Sequence, residues 1–432
     1  MRVLVLGSGG REHAIVHALR RSPEVTEVYA APGNPGIAQA ADILPVSVDD
    51  LPSVVEAASD LRIDLTVVGP ELPLALGIAD EFNRRGLRLF GPTSAAAQLE
   101  ASKVFAKEFC ARHGISTAHA ECAESEEQAR EAARKIGFPV VLKADGLAAG
   151  KGVVIPTNTT ELDEALNLFF EQRAFGDAGH RVLVEEFLEG TEVSFMAICD
   201  GTRAVPVATS RDYKRVGEGD TGPNTGGMGS HSPAIALPKG IGRTIMDTVI
   251  RPVIQGMAEE GREYRGVLYA GMMLTKDGPK VLEFNCRFGD PETQPVLLRF
   301  DGSLASLLKG AADGRMTAQG LQWRKEVVAC VVAAADGYPG SARKGDHVTG
   351  IDAAMGLPGV TVYQAGTVID ACRLVTSGGR VLSVCGRGPT LGDALNTAYG
   401  GLEKIHFEGM FFRRDIGRDT LEAQRSAEAQ RG

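Results

Sequence analysis

From Met1 to about Ser102, short apolar runs alternate with helix-period stretches. Val3–Leu6, Val28–Ala30, Leu65–Val68 and Leu87–Phe90 read as strands, and Arg11–Arg21 and Leu74–Arg85 between them as helices. This alternation predicts a parallel sheet covered on both faces, with ligands at the carboxyl ends of its strands. The stretch to Met316 is mixed. Pro139–Lys143, Val182–Glu186 and Glu192–Cys199 are strand-like, Glu161–Gln172 and Ile241–Glu260 are helical, and Lys276-Asp277-Gly278 is a hairpin turn. Ser210–Pro233, crowded with Gly, Asp, Asn and Thr, reads as a long functional loop. From about Lys325 the pattern is mostly β and closes with a helix near Leu391–Lys404. The prediction is an α/β chain of three units: a parallel-sheet, Rossmann-like N-terminal domain over 1–102, a central domain over 103–317, and a mostly β C-terminal domain over 325–422. No repeat of about 20–50 residues is present, which excludes solenoids and propellers.

Composition sharpens this only in places. The chain has 432 residues, 44% hydrophobic and 23% charged, with 53 Gly, as expected of a loop-rich α/β enzyme and not of a disordered or fibrous chain. A net charge of −9 without a long basic run argues against nucleic-acid binding. The seven cysteines are scattered and form no Cys-x-x-Cys pair, which excludes a disulfide framework or zinc knuckle. The longest apolar run, Val327–Ala335, is too short to span a bilayer, and Val3–Leu6 runs straight into Gly7 without a signal-peptide core. The expectation is a cytoplasmic protein with no nucleic-acid or membrane partner, a monomer or weak dimer.

Two glycine loops carry candidate chemistry. Gly7-Ser8-Gly9-Gly10-Arg11-Glu12 follows a strand and opens a helix, where backbone N–H groups make an anion site. Glu12 stands where a dinucleotide fold needs glycine, and Tyr29-Ala30-Ala31-Pro32 offers no acid for a ribose, so an NAD-dependent oxidoreductase is disfavoured. A phosphate of another ligand, or simply a tight turn, remains. His13 and His17, four apart, are read as one face of an ordinary helix and not as a metal pair. The second loop, Gly146–Gly152, follows a strand ending in Lys143. Its spacing and Gly152 at the Ser/Thr place reject a Walker motif. Lys143 and Lys151 there suit polyphosphate oxygens, the alternative for Lys151 being a solvated turn residue.

Val281-Leu282-Glu283-Phe284-Asn285-Cys286-Arg287 places Glu283, Asn285 and Arg287 on one strand face and Leu282 and Phe284 on the other. Carboxylate and amide oxygens side by side are hard ligands for Mg²⁺ held with nucleotide phosphates, and Arg287 can clamp a transferring phosphoryl group. The alternative is an edge strand with a wet polar face. Arg287–Gln294 adds further charge at the following turn.

Together, Gly7–Ala14, Arg211–Gly229, Arg287–Gln294 and Arg414-Asp415-Ile416-Gly417, in that order, resemble the glycinamide ribonucleotide synthetase family of the ATP-grasp superfamily over essentially the whole chain. The resemblance implies an ATP-grasp central domain with a mobile lid subdomain at about 119–190. It implies an ATP-dependent ligase of purine biosynthesis, joining glycine to 5-phosphoribosylamine through glycyl phosphate, with Mg²⁺ or Mn²⁺. Another ATP-grasp carboxylate–amine ligase or carboxylase is the alternative. By the same resemblance, Glu185, Glu186 and Leu188 form the adenine hinge, Glu192 accepts the ribose hydroxyls, Lys103 and Lys143 hold phosphates, and Glu283 and Asn285 bind metal. Arg287, Lys143 and Lys151 would act in catalysis, and Gly7, Gly9, Gly10, Arg11, Asp212, Asn224 and Asp290 would contact substrate. The acidic ligand many relatives carry on the preceding strand is missing from Tyr269–Leu274, and Tyr213 is assigned no catalytic role.

Overall fold

The computed structural model describes residues 1–147, 152–172, 174, 176–235, 237–317 and 321–429. The N-terminal sheet is fully parallel, in the order 42–43, 27–32, 2–7, 65–68, 89–90. Its central strand, Arg2–Gly7, is apolar on both faces because helices cover both: Val3, Val5 and Ile15 belong to one core and Leu4, Leu6 and Phe82 to another. The single helix expected over Leu74–Arg85 is instead two, Glu71–Ala75 and Ile78–Arg84. Gly77, at φ +93°, breaks the run between them. The last strand is shorter than expected, Leu89–Phe90.

The central region holds two sheets. One joins Ala120–Ala123, Val182–Glu186, Val140–Ala144 and Val153–Val154. The other, fully antiparallel, joins Ala204–Pro206, Thr191–Asp200, Arg265–Thr275 and Gly278–Asn285 around the expected hairpin. Alternation gives the second sheet two cores: Phe195, Leu268 and Phe284 pack on Ile245, Val249 and Val253 of the 241–259 helical run, while Met196, Ile198 and Val267 face Leu304 and Leu308.

Ser210–Pro233 is not a loop. It contains Arg211–Asp212, Arg215–Gly217, Thr221–Asn224 and Gly229–Ser232 as short strands. The first and last of these extend the C-terminal sheet, whose order is 211–212, 229–232, 327–334, 380–388, 360–364. Polar composition hid this, because the strand that anchors them to the C-terminal sheet, 327–334, lies about a hundred residues away. The helix at Leu391–Leu402 is where it was expected, but a further helix, Arg418–Ala429, follows it. No helix among the described residues is long and apolar enough to cross a membrane.

Candidate functional site

A cleft of about 690 Å³ lies where the N-terminal, central and C-terminal regions meet. Within it stand Lys103, Lys143, Glu185, Glu186, Leu188, Glu192, Glu283, Asn285 and Arg287, together with Arg11, Asp212, Asn224 and Asp290. Gly7, Gly9 and Gly10 are not among its walls. Lys151 lies outside the described residues, as does most of the second glycine loop.

Lys103 opens a helix, Lys103–Arg112, whose N-cap Ser102 accepts the Phe105 N–H and donates to Asp145. From there Lys103 Nζ donates to the Gly146 carbonyl at 3.0 Å. Lys143 is 7% exposed and pairs with Glu185 at 2.9 Å. Sequence reading missed Lys107, one helical turn beyond Lys103. It donates to Thr117 and Ala118 and lies 3.4 Å from Glu185, and burial lowers its pKa to about 8. The Lys103–Lys107 spacing was a readable signal.

The carboxylate strand keeps its polar row but not strict alternation. A bulge opposite Gly271–Met272 puts Val281, not Leu282, in the core with Phe284. Glu283 faces Gly271, where a Cβ would lie 3.2 Å from its Cγ. Its carboxylate, 34% exposed, receives Lys214 Nζ at 3.2 Å, and Lys214 also reaches Glu192 at 2.6 Å. Lys214, with Lys143 and Lys103 behind it, lowers the Glu283 pKa to about 2. Burial works against Lys214, yet Glu192 and Glu283 raise its pKa well above the ordinary value. Lys214 was overlooked although it alternates with Asp212. Among the described residues no three His, Cys, Asp or Glu side chains form a metal cage. Glu283 and Asn285 nevertheless offer the hard oxygens that suit a divalent cation completing its shell with phosphate and water.

Arg287 ends this row. Its guanidinium lies 3.2 Å from Glu71 and 3.1 Å from Glu100, and these carboxylates raise its pKa against the opposing effect of burial. Beside it, Arg11 is 7% exposed, spending Nε on Glu12 and Nη1 on the Phe288 carbonyl. Glu12 also accepts the Gly9 N–H at 2.6 Å and fills the space beside Gly7 and Gly69. The carboxylate at the place of the dinucleotide glycine thus caps its own helix, and Gly9 N–H is already engaged. His13 and His17 are structural: His13 Nδ1 accepts the Gln364 N–H, and His17 meets the Tyr363 hydroxyl.

The acidic end of the cleft holds unsatisfied buried oxygens, Asp212 Oδ1 and, beside Asp290, Gln294 Oε1. Burial with Glu292 nearby raises the Asp212 pKa. Glu292, 2% exposed, accepts from Ser194. Asp290 accepts from Gln294 at 2.7 Å and from Arg380 at 2.8 Å. Arg380 comes from the C-terminal sheet, and nothing in its local sequence marks it. Tyr213, given no catalytic role, is buried with its hydroxyl donating to Asp419.

The chain matches three models of the phosphoribosylglycinamide synthetase family: the N domain over residues 1–100, the ATP-grasp (A) domain over 101–293 and the C domain over 328–419. It is 47% identical to the phosphoribosylamine–glycine ligases of Xanthomonas axonopodis pv. citri and Salmonella typhi, over 99% of this chain and 100% of each relative. Among solved structures, the phosphoribosylamine–glycine ligase of Thermotoga maritima is 37% identical, with a TM-score of 0.83 over 96% of this chain and all of that one. The biotin carboxylase of Campylobacter jejuni, at 15% identity and a TM-score of 0.72 over 95% of this chain and 92% of its own, shares the fold.

Proposed function

The chain belongs to the phosphoribosylglycinamide synthetase family, and on that footing we propose how its cleft performs the family's reaction. It is an ATP-dependent ligase of purine biosynthesis: glycine and 5-phosphoribosylamine are joined as ATP becomes ADP and phosphate. A divalent ion, Mg²⁺ or Mn²⁺, is required, and Glu283 and Asn285 are the residues that would hold it through two hard oxygens. When bound, that ion neutralises charge on the transferring phosphoryl group.

A carboxylate is a poor acyl donor because oxide cannot leave. Phosphorylating glycine replaces that leaving group with phosphate. The chain's share is positioning and neutralisation of charge. Glu185, Glu186 and Leu188 line the adenine end, Glu192 takes the ribose hydroxyls, and Lys103 and Lys143 reach the phosphates. Arg287, fixed by Glu71 and Glu100, faces the reacting end. Phosphoribosylamine extends past Asp290 to the activated glycine, with Asp212 and Asn224 beside the amine; its phosphate reaches the Gly7–Arg11 turn by displacing Glu12 from the Gly9 N–H. Lys151 and the rest of the second loop would close over the acyl phosphate to exclude water. The seven unbridged cysteines support a reducing, cytoplasmic compartment. Domain limits of 1–102, 103–317 and 325–422 fit this division, with strands 211–212 and 229–232 handed to the C-terminal sheet.

The observation that carries the reading is the meeting of Glu283 and Asn285 with Lys103 and Lys143 in one cleft. The test is ADP release from ATP with glycine and freshly made phosphoribosylamine, each omitted in turn. Full release requires both. Release that ignores phosphoribosylamine but needs bicarbonate would point to a carboxylase instead.

A further inference from the structure

Arg380 stands about ninety residues after Asp290 in sequence, yet its guanidinium closes on the same turn of the cleft. Nη2 donates to Asp290 Oδ2 at 2.8 Å, while Nη1 donates to the carbonyls of Asp290 at 2.8 Å and Gly226 at 2.5 Å. Tyr338, also C-terminal, accepts the Gly226 N–H at 3.0 Å, so Gly226 is held through both its N–H and its carbonyl. The glycines permit the approach. A Cβ on Gly226 would lie 2.9 Å from Arg380 Cζ, and one on Gly227, at φ +109°, would lie 2.3 Å from Pro291 and 2.8 Å from Asp212 Oδ1. The turn therefore threads between the Asp212 carboxylate and the Asp290–Pro291 backbone, and Arg380 fixes both the Gly226 carbonyl and the Asp290 carboxylate.

We propose that Arg380 is a positioning residue of the ligase reaction, shaping Asp290 and the Gly226–Gly227 turn into the seat of the phosphoribosylamine sugar. This rests on the functional reading above. A sugar hydroxyl is a donor and needs an ionised acceptor held in place. Asp290 has one bond on each oxygen and room for another, and each carboxylate oxygen can accept two. It also lies beside the first glycine loop, since a Cβ on Gly9 would come within 3.8 Å of its Oδ2. That places it between the loop and the metal strand, where the phosphoribosylamine sugar passes and ATP does not. Burial opposes ionisation of Asp290, and Arg380 is the main counterweight that lowers its pKa. A lysine replaces Arg380 only in part, because one ammonium lacks the planar fork that serves carboxylate and two carbonyls at once.

The test compares wild type, Arg380→Lys and Arg380→Ala for the KM of each substrate, kcat and melting temperature. The KM for phosphoribosylamine should rise about tenfold or more in Arg380→Ala and less in Arg380→Lys, with KM for ATP and glycine within about twofold of wild type. Millimolar guanidinium should lower the raised KM of Arg380→Ala, which a general loss of packing would not allow. Should Arg380→Ala not fold, the KM split in Arg380→Lys decides. Equal rises in all three KM values, an unchanged phosphoribosylamine KM, or no rescue by guanidinium would overturn the proposal. A wild-type enzyme whose ADP release ignored phosphoribosylamine would instead overturn the functional reading beneath it.

Discussion

Glu283 sits opposite a glycine, within reach of Lys214 and in the field of Lys143 and Lys103, so its carboxylate stays ionised far into acid. On the proposed metal role, that charge serves phosphoryl transfer more than ground-state binding of ATP. Glu283→Gln and Asn285→Ala should each cut turnover about a hundredfold or more at limiting Mg²⁺. The dissociation constant for ATP, read by titration calorimetry, should change far less. Near-normal turnover in both variants would remove these residues from the site. At the first glycine loop, a valine at Gly9 would meet Glu12 Oε2 at 2.6 Å and crowd Asp290. Gly9→Val should raise the KM for phosphoribosylamine while leaving that for ATP nearly unchanged, and a selective rise for ATP would place the nucleotide there. Alternation alone was enough to put Glu283, Asn285 and Arg287 in one row. It could not show Glu71 and Glu100, which reach Arg287 from about two hundred residues upstream.

Strands 215–217 and 221–224 carry Asn224 into the cleft, and their support comes from the C-terminal segment. Arg413, 2% exposed, pairs with Asp415 through both Nε and Nη2 and with Asp220 across the hairpin, while Asp415 also accepts the Gly219 N–H. This accounts for Asp415 in the Arg414–Gly417 motif, with Arg413 just before it. Removing one partner strands the other in a buried place, so Asp415→Ala should cost about 3–5 kcal/mol, measured by urea unfolding. A loss under about 1 kcal/mol would show the pair to be dispensable. The hairpin lay in a stretch marked by its composition and the motif was marked by the family resemblance, but their pairing across about two hundred residues was not legible.

The first helix docks on the C-terminal strand 360–364 through His13 and His17, whose pKa values are lowered to about 4, chiefly by burial. An unfolded histidine titrates near 6.5, so the unfolded chain binds more protons between those values. The docking therefore contributes fully above about pH 6.5, and its contribution is lost as pH falls toward 4. His13→Asn keeps an acceptor for the Gln364 N–H but does not titrate. Its melting temperature should fall less between pH 7 and pH 5 than that of wild type, and an equal fall would assign the acid sensitivity elsewhere.

On the scale of the whole molecule, every region contributes to one cleft: Arg11 and Glu71 from the N-terminal sheet domain, the lysines and Glu283 from the centre, and Arg380 from the C-terminal sheet. The order of elements was legible because periodicity is local. The sharing of strands 211–212 and 229–232 with the C-terminal sheet was not, because register with a distant strand leaves no local trace. The central claim is that this cleft activates glycine by moving a phosphoryl group onto its carboxylate. Glycine labelled with ¹⁸O in both carboxyl oxygens tests it directly, with mass spectrometry of the phosphate released during turnover with ATP and phosphoribosylamine. Transfer through glycyl phosphate predicts one labelled oxygen in each phosphate and the other in the product amide. Unlabelled phosphate, with product still formed, would contradict it.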